Sequence, residues 1–342
     1  MKKKKNIFVF STTYSLLLYL LYHDLETIKN TLYITQKSYQ YAVPKTIKNK
    51  LIKHIEFNTF NGVGSPNKLK VIMFFINNLI YNFFQNIYIQ FLTKNSNIYI
   101  HNNQRMSGKF AKNNYFTIIE DGIGNQLGKF SSKKEKPNTI SNKSILNQLR
   151  DYIYGVPMIN TKNIKKHIVT KSVDEKNEEI ISIQNLWQNS SKEKQQYILN
   201  IFGIDQKVLQ DYNFESILLT QPMNEYGVIS TEKEKISFYK GIIEKENKSV
   251  LIKTHPAEKT DYKKYFPETT IFENPIPFEI FELLGIQFKR AYTISSTAAL
   301  NFNYPIEIIP IQTGLNLYED GFKEILNRRK NERFNLCYHT RI

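Results

Sequence analysis

The chain has 342 residues, enough for two domains of ordinary size, and its single cysteine, Cys337, excludes an internal disulfide framework and any multi-cysteine zinc site. Lys and Arg number 47 against 31 Asp and Glu, a net charge of +16 that favours partners carrying phosphate or carboxylate. Nucleic acid is not the expected partner: the chain has no Cys/His finger spacing and no aromatic RNA-binding motif, and its abundant Lys, Asn and Ile assign part of the charge to compositional bias.

Lys2 to Lys5 followed by an apolar stretch over 7–22 has the order of a signal anchor, but the stretch is about 16 residues against the roughly 20 that span a bilayer, and Ser11, Thr12, Thr13 and Ser15 interrupt it. It reads instead as a strand over 6–10, a hydroxyl-rich loop at Ser11, Thr12 and Thr13, and a helix over 14–23, the opening unit of a nucleotide-binding-like lobe. A second strand is expected at 31–35 and a short element at 47–55. Residues 68–92, rich in Phe, Ile and Tyr and without Gly or Pro, read as one or two buried helices; the alternative is a face resting on a membrane, with Lys68 and Lys70 beside it. Strands at 97–101 and 115–119 follow, the second running into Glu120-Asp121-Gly122. The Lys, Ser, Asn and Pro-rich stretch 129–143 predicts a surface loop, 144–154 a helix, and 178–202 a helical region interrupted near 189–191. The boundary between lobes is placed in 205–214, giving lobes of 1–204 and 215–342.

The second lobe opens with a strand over 216–220 that Gln221-Pro222 ends, leaving a loop that carries Glu225. Thr231 and Glu234 form a capping box for a helix with Ile236, Tyr239 and Ile243 at helical spacing. A strand over 250–252 leads to Lys253-Thr254-His255-Pro256. Another over 291–294 leads to Ser295-Ser296-Thr297 and a small-residue helix over 297–301. A strand over 306–311 and a basic helix over 323–333 complete the chain. Strand-helix-strand units make parallel sheets, so the expected fold is α/β with two Rossmann-like lobes; two such lobes facing a central cleft resemble the GT-B architecture of nucleotide-sugar glycosyltransferases.

Three polar signatures thus follow predicted strands, where open α/β sheets bind ligands. Transfer of a sugar to a hydroxyl needs a base for the acceptor proton and relief of negative charge on the departing phosphate. Asp121 is the candidate base, with Gly122 and Gly124 letting a sugar approach the backbone; Glu225 is a rival carboxylate. His255, before Pro256, is the candidate donor to the leaving phosphate, and Lys253 adds positive charge. Ser295, Ser296 and Thr297, where strand becomes helix, offer amides and hydroxyls to phosphate. Thr12, Thr13 and Gln221 are further polar groups just past strands. No Asp-x-Asp occurs and the six His are scattered, so a metal-independent reaction with a monophosphate leaving group is expected, with no cofactor.

Glu120-Asp121-Gly122-Ile123-Gly124-Asn125 resembles the Asp-Asp-Gly-x-Gly-Asn segment of glycosyltransferase family 52, the lipooligosaccharide and capsule sialyltransferases. The segment Ile294-Ser295-Ser296-Thr297-Ala298-Ala299-Leu300 is similar to that family's small-residue segment ending in Ala-Ala-Leu, and residues 6–16 to its opening strand and loop. The resemblance implies an inverting transfer of sialic acid from CMP-sialic acid to a terminal sugar hydroxyl, often of galactose, with Asp121 as base, His255 as acid and Asn125 in the substrate site. Family 52 also includes glucosyltransferases, which leaves a UDP-sugar as the alternative donor; a noncatalytic polyanion-binding protein is the alternative of another class. The resemblance further implies action at the cytoplasmic face of the bacterial inner membrane, peripheral contact with anionic lipid and a possible homodimer.

Overall fold

The computed structural model describes residues 4–36, 43–57, 68–101, 105–111, 113–121, 163–172, 177–205, 214–246, 249–255, 257–273, 276–300, 302 and 304–313. The expected loop at 129–143 and helices at 144–154 and 323–333 lie outside them, as do Gly122, Gly124, Asn125, Pro256 and the side chain of Thr297. The described residues divide into two compact units that part between Ile204 and Asp205.

The first unit is built on a seven-stranded, wholly parallel sheet of order β3-β2-β1-β4-β5-β6-β7. Its strands are β1 (Lys5–Val9), β2 (Leu32–Gln36), β3 (His54–Phe57), β4 (Ser96–His101), β5 (Phe116–Ile119), β6 (Ile164–Val169) and β7 (Glu178–Ile180). β1 sits between β2 and β4, so Ile7, Phe8 and Val9 are covered on both faces and are all apolar. Helix α1 (Thr13–Tyr22) packs its Leu-rich length into this layer, where Tyr19 stacks on Phe8 with ring centroids 4.3 Å apart. Each fully buried Leu or Ile of this core contributes about 2 kcal/mol. The amino-terminal segment is therefore a core strand and helix.

Helix α2 (Leu25–Asn30), capped by Asp24, joins α1 to β2 and was not foreseen. The single element expected at 47–55 is two: a short helix α3 (Lys45–Lys48) and strand β3. Residues 68–92 belong to one helix, α4 (Lys68–Thr93). Its expected burial is contradicted. Ile76, Ile80, Tyr81, Phe83, Phe84, Ile87, Tyr88 and Phe91 are exposed, Phe84 by 64% and Phe91 by 75%. The inward side instead carries Asn82 and Gln85, whose side-chain oxygens accept from Lys109 Nζ on helix α5 (Arg105–Ala111), 2.6 Å away for Gln85. Among the described side chains of α4, Ile89 joins the core of the sheet, Asn82 and Gln85 serve the half-buried Lys109 ammonium, and the eight apolar residues named above face outward.

The helical stretch expected at 178–202 begins as strand β7. It continues as α6 (Ile183–Gln188) and α7 (Lys192–Phe202), broken where Ser191 caps α7 by accepting from the Lys194 amide at 3.2 Å. Gly203, at φ +70°, closes α7 in the left-handed conformation that glycine adopts without strain.

The second unit is a five-stranded parallel sheet of order β10-β9-β8-β11-β12. The strands are β8 (Ser216–Leu219), β9 (Val250–Lys253), β10 (Thr270–Phe272), β11 (Arg290–Thr293) and β12 (Glu307–Pro310). β10 was not foreseen. Between β8 and β9 runs α8 (Glu232–Glu246), opened by the Glu234 amide donating to Thr231 Oγ1 at 3.2 Å, and its Ile236, Tyr239 and Ile243 pack on Leu218, Val250 and Ile252. Short helices α9 (Tyr262–Tyr265) and α10 (Glu279–Leu283) follow. Where a small-residue helix was expected after β11, the chain makes a four-residue 3-10 turn, Thr297–Leu300.

Candidate functional site

In the first unit, β1, β4 and β5 are neighbours, so the residues just past their carboxyl ends meet. Thr12 caps α1 by accepting from the Ser15 amide at 3.2 Å, and its hydroxyl donates to Asp121 Oδ1 at 2.6 Å. His101 ends β4 with only 1% of its surface exposed; its Nε2 lies 2.5 Å from Ser11 Oγ and 3.8 Å from Asp121 Oδ1. Burial lowers the His101 pKa, opposed by the Asp121 carboxylate and the Val9 backbone. Thr13 begins α1 beside this group.

The two acids of the predicted signature have separate roles. Glu120 turns into the fold, accepting from the Thr170 amide, from Thr170 Oγ1 at 2.8 Å and from Tyr14 OH at 3.3 Å. Burial raises its pKa against those donors. Glu120 thereby ties β5 to the end of β6, while Asp121 joins the cluster at β1 and β4.

In the second unit the carboxyl ends of β9, β8 and β11 carry, in spatial order, His255, then Thr220 and Gln221, then Ser295 and Ser296. His255 and Ser295 are thus two strand spacings apart, about 10 Å. Burial lowers the His255 pKa to about 4, helped by the Lys253 charge and opposed by Glu225. Burial likewise lowers Lys253 to about 8, opposed by Glu279 and Glu258. The Ser296 amide donates to Thr293 Oγ1 at 2.8 Å, so it is engaged in the turn, and the hydroxyl is the group Ser296 has to offer a ligand. The Gln221 amide donates to Tyr239 OH at 3.1 Å.

Beneath His255 lies a network that sequence reasoning missed. Lys235, on α8, has a side chain 0% exposed, and its Nζ donates to Glu225 Oε1 and Oε2 at 3.1 and 3.0 Å and to Glu258 Oε1 at 3.2 Å. Glu225 Oε1 also accepts from the Lys259 amide at 2.9 Å. Burial works to raise the Glu225 pKa, but the Lys259 amide and the Lys235 ammonium outweigh it and hold the carboxyl below its ordinary value. Glu258 accepts from the His255 amide at 2.8 Å, from Tyr262 OH at 2.5 Å and from Thr220 Oγ1. His101 was open to the rule that found Asp121 and His255, a reactive group ending a strand. Lys235 was not, because the run Glu232-Lys233-Glu234-Lys235 has the composition of a solvated helix face.

Among the described residues no three His, Cys, Asp or Glu side chains converge as metal ligands. Nor is any described helix long and apolar enough to cross a membrane.

The fold is that of known transferases. The α/β-galactoside α-2,3-sialyltransferase of Photobacterium phosphoreum superposes at a TM-score of 0.51 and 12% identity, over 90% of each chain. A 2,6-sialyltransferase of Photobacterium sp. JT-ISH-224, whose structure holds the donor product CMP and the acceptor lactose, gives a TM-score of 0.56 at 13% identity, over 89% of this chain and 70% of that one. Both likenesses show the GT-B type of fold. In sequence, an uncharacterized protein of Haemophilus influenzae is 36% identical over 206 residues, 58% of this chain and 62% of the relative, so the match spans under two thirds of that protein. The model of glycosyltransferase family 52 matches residues 33–312, a span that holds Asp121 and His101 in one unit and His255, Lys235 and Glu258 in the other, and with four-fifths of its length accounted for the chain belongs to that family.

Proposed function

We propose that the protein is an inverting sialyltransferase that moves sialic acid from CMP-sialic acid to a terminal sugar hydroxyl, galactose in the first instance, of a surface glycan. The observation that carries this reading is the Asp121 carboxylate at the carboxyl end of β5, hydrogen-bonded by Thr12 and flanked by buried His101, in a family 52 chain with the fold of sialyltransferases. The CMP and lactose held by the Photobacterium 2,6-sialyltransferase support the same donor and acceptor classes here.

In the proposed reaction the acceptor oxygen attacks the anomeric carbon as its proton passes to Asp121. The bond from that carbon to the phosphate oxygen breaks, and its electron pair leaves with CMP. One displacement inverts the configuration. The departing phosphate takes a hydrogen bond or proton from His255, and Lys253 supplies positive charge. With a pKa near 4 the imidazole is neutral at pH 7 before donor binds, and an adjacent phosphate raises it toward the range of a working acid. Charge relief by His255 and Lys253 meets the need of a monophosphate leaving group without a metal ion. Asp121 is preferred over Glu225 as base because two oxygens committed to Lys235 and Lys259, and a pKa held below its ordinary value, make Glu225 a weak acceptor of protons. Ser295, Ser296 and Thr297 are assigned to the cytidylate, and Thr13, Gln221, Gly122, Gly124, Asn125 and Pro256 to the substrate walls. The exposed apolar residues of α4 and the net charge of +16 support peripheral contact with an anionic membrane surface, where a lipid-linked acceptor is found.

The test incubates purified protein and lactose with CMP-sialic acid or with UDP-glucose. CMP release with formation of sialyllactose is expected. Release of UDP and no CMP assigns the chain to the sugar-nucleotide transferases of the other donor class, and salt-dependent retention on heparin with no nucleotide turnover makes it a polyanion-binding protein.

A further inference from the structure

We propose that Glu258 and Lys235 are positioning residues for His255: they clamp the loop after β9 so that the imidazole presents Nε2–H, its donor face, to the leaving group. The proposal rests on the role given to His255 above.

His255 and the stretch from Ala257 to Lys259 are held by two carboxylates. Glu258 Oε2 accepts the His255 amide at 2.8 Å, and Glu225 Oε1 accepts the Lys259 amide at 2.9 Å, so both ends of the loop are held. The Glu258 amide donates to the His255 carbonyl at 3.0 Å, closing a tight turn. Inside that turn the Ala257 amide donates to His255 Nδ1 at 3.2 Å. An N–H can face only a lone pair, so in the neutral ring the proton is on Nε2. Lys235 sits between the carboxylates, with its Nζ 5.8 Å from the centre of the Tyr262 ring, and neutralises one of the two buried negative charges. Thr220, past β8, donates to Glu258 and stands 3.3 Å from the His255 amide, which ties the clamp to the neighbouring strand end. A lysine and two glutamates removed from water are costly to hold together, and here their combined bonds converge on one short loop.

The test uses the full chain and two variants. Glu258→Gln keeps the shape and removes the charge, and Thr220→Val, the milder change, removes one hydroxyl and keeps the carboxylate. Imidazole nitrogen-15 shifts of His255 identify its tautomer. The Nε2–H form is expected in the parent protein and a mixture of tautomers in both variants. The kcat of Glu258→Gln falls about tenfold or more with the KM for lactose nearly unchanged, and adding Glu258→Gln to His255→Ala costs nothing further, since the first acts only through the second. An unchanged tautomer in both variants overturns the proposal, as does a double variant whose loss is the product of the two single losses. The tautomer readout needs no sialyl transfer. A protein that loses Nε2–H in the variants but makes no sialyllactose upholds the clamp and rejects the reaction.

Discussion

At the scale of single residues, the groups assigned to proton transfer have measurable consequences. Asp121→Ala and His255→Ala each lower kcat by about a hundredfold or more, the usual size of an acid or base contribution, with a circular dichroism spectrum like the parent's. Near-normal turnover in Asp121→Ala together with loss in Glu225→Ala moves the base to Glu225. Thr12 does two jobs through one hydroxyl, capping α1 and donating to Asp121. Thr12→Val is therefore expected to cost about 1 kcal/mol of stability and about tenfold in kcat, the worth of one hydrogen bond to a charged group. Thr12→Ser, which keeps the hydroxyl, restores both in urea melts and lactose assays. The placement of Asp121 and His255 was legible because a titratable side chain soon after an apolar β run falls at a strand end. Lys235 and Glu258 were not. Their pairing spans 23 residues of sequence, and only the packing of α8 on β8 and β9 makes them neighbours.

At the scale of elements, α4 shows where pattern reading reaches its limit. Apolar residues at helical spacing define a stripe, but which side faces inward depends on what the sheet and the neighbouring helix present. Here the neighbour presents Lys109, half-buried and pushed down to about 8 by that desolvation, and Asn82 and Gln85 turn toward it. The outward stripe predicts that Phe84→Asp with Phe91→Asp lowers co-sedimentation with phosphatidylglycerol vesicles by about tenfold while leaving the melting temperature unchanged. Equal sedimentation of parent and variant removes α4 from the membrane contact. The strand at Glu178–Ile180 escaped notice for a related reason: it is a three-residue edge strand whose extended form comes from pairing with β6.

At the scale of the whole molecule, four histidines drawn partly or wholly out of water set a pH dependence. Burial lowers His23 and His255 to about 4 and lowers His54 and His101 as well, against an unfolded value near 6.5. A histidine that resists protonation in the folded state leaves the unfolded chain binding more protons between those values. Stability therefore falls as pH drops from about 6.5 toward 4, and the urea midpoint at pH 5 is expected below that at pH 7. Equal midpoints contradict the burial of these rings. The sequence alone determined eight of the twelve described strands, the placement of Asp121 and His255 past strand ends and the class of fold, because alternation of apolar runs with turn residues and caps is local chemistry. Tertiary structure decided which strands adjoin, that Asp121 meets Thr12 and His101 across three strand ends, that α4 turns Tyr81, Phe83, Phe84, Tyr88 and Phe91 outward, and that a lysine in a charged run is sealed between two glutamates. Those outcomes depend on contacts between residues tens of positions apart, whose energies do not exist until the sheets have formed.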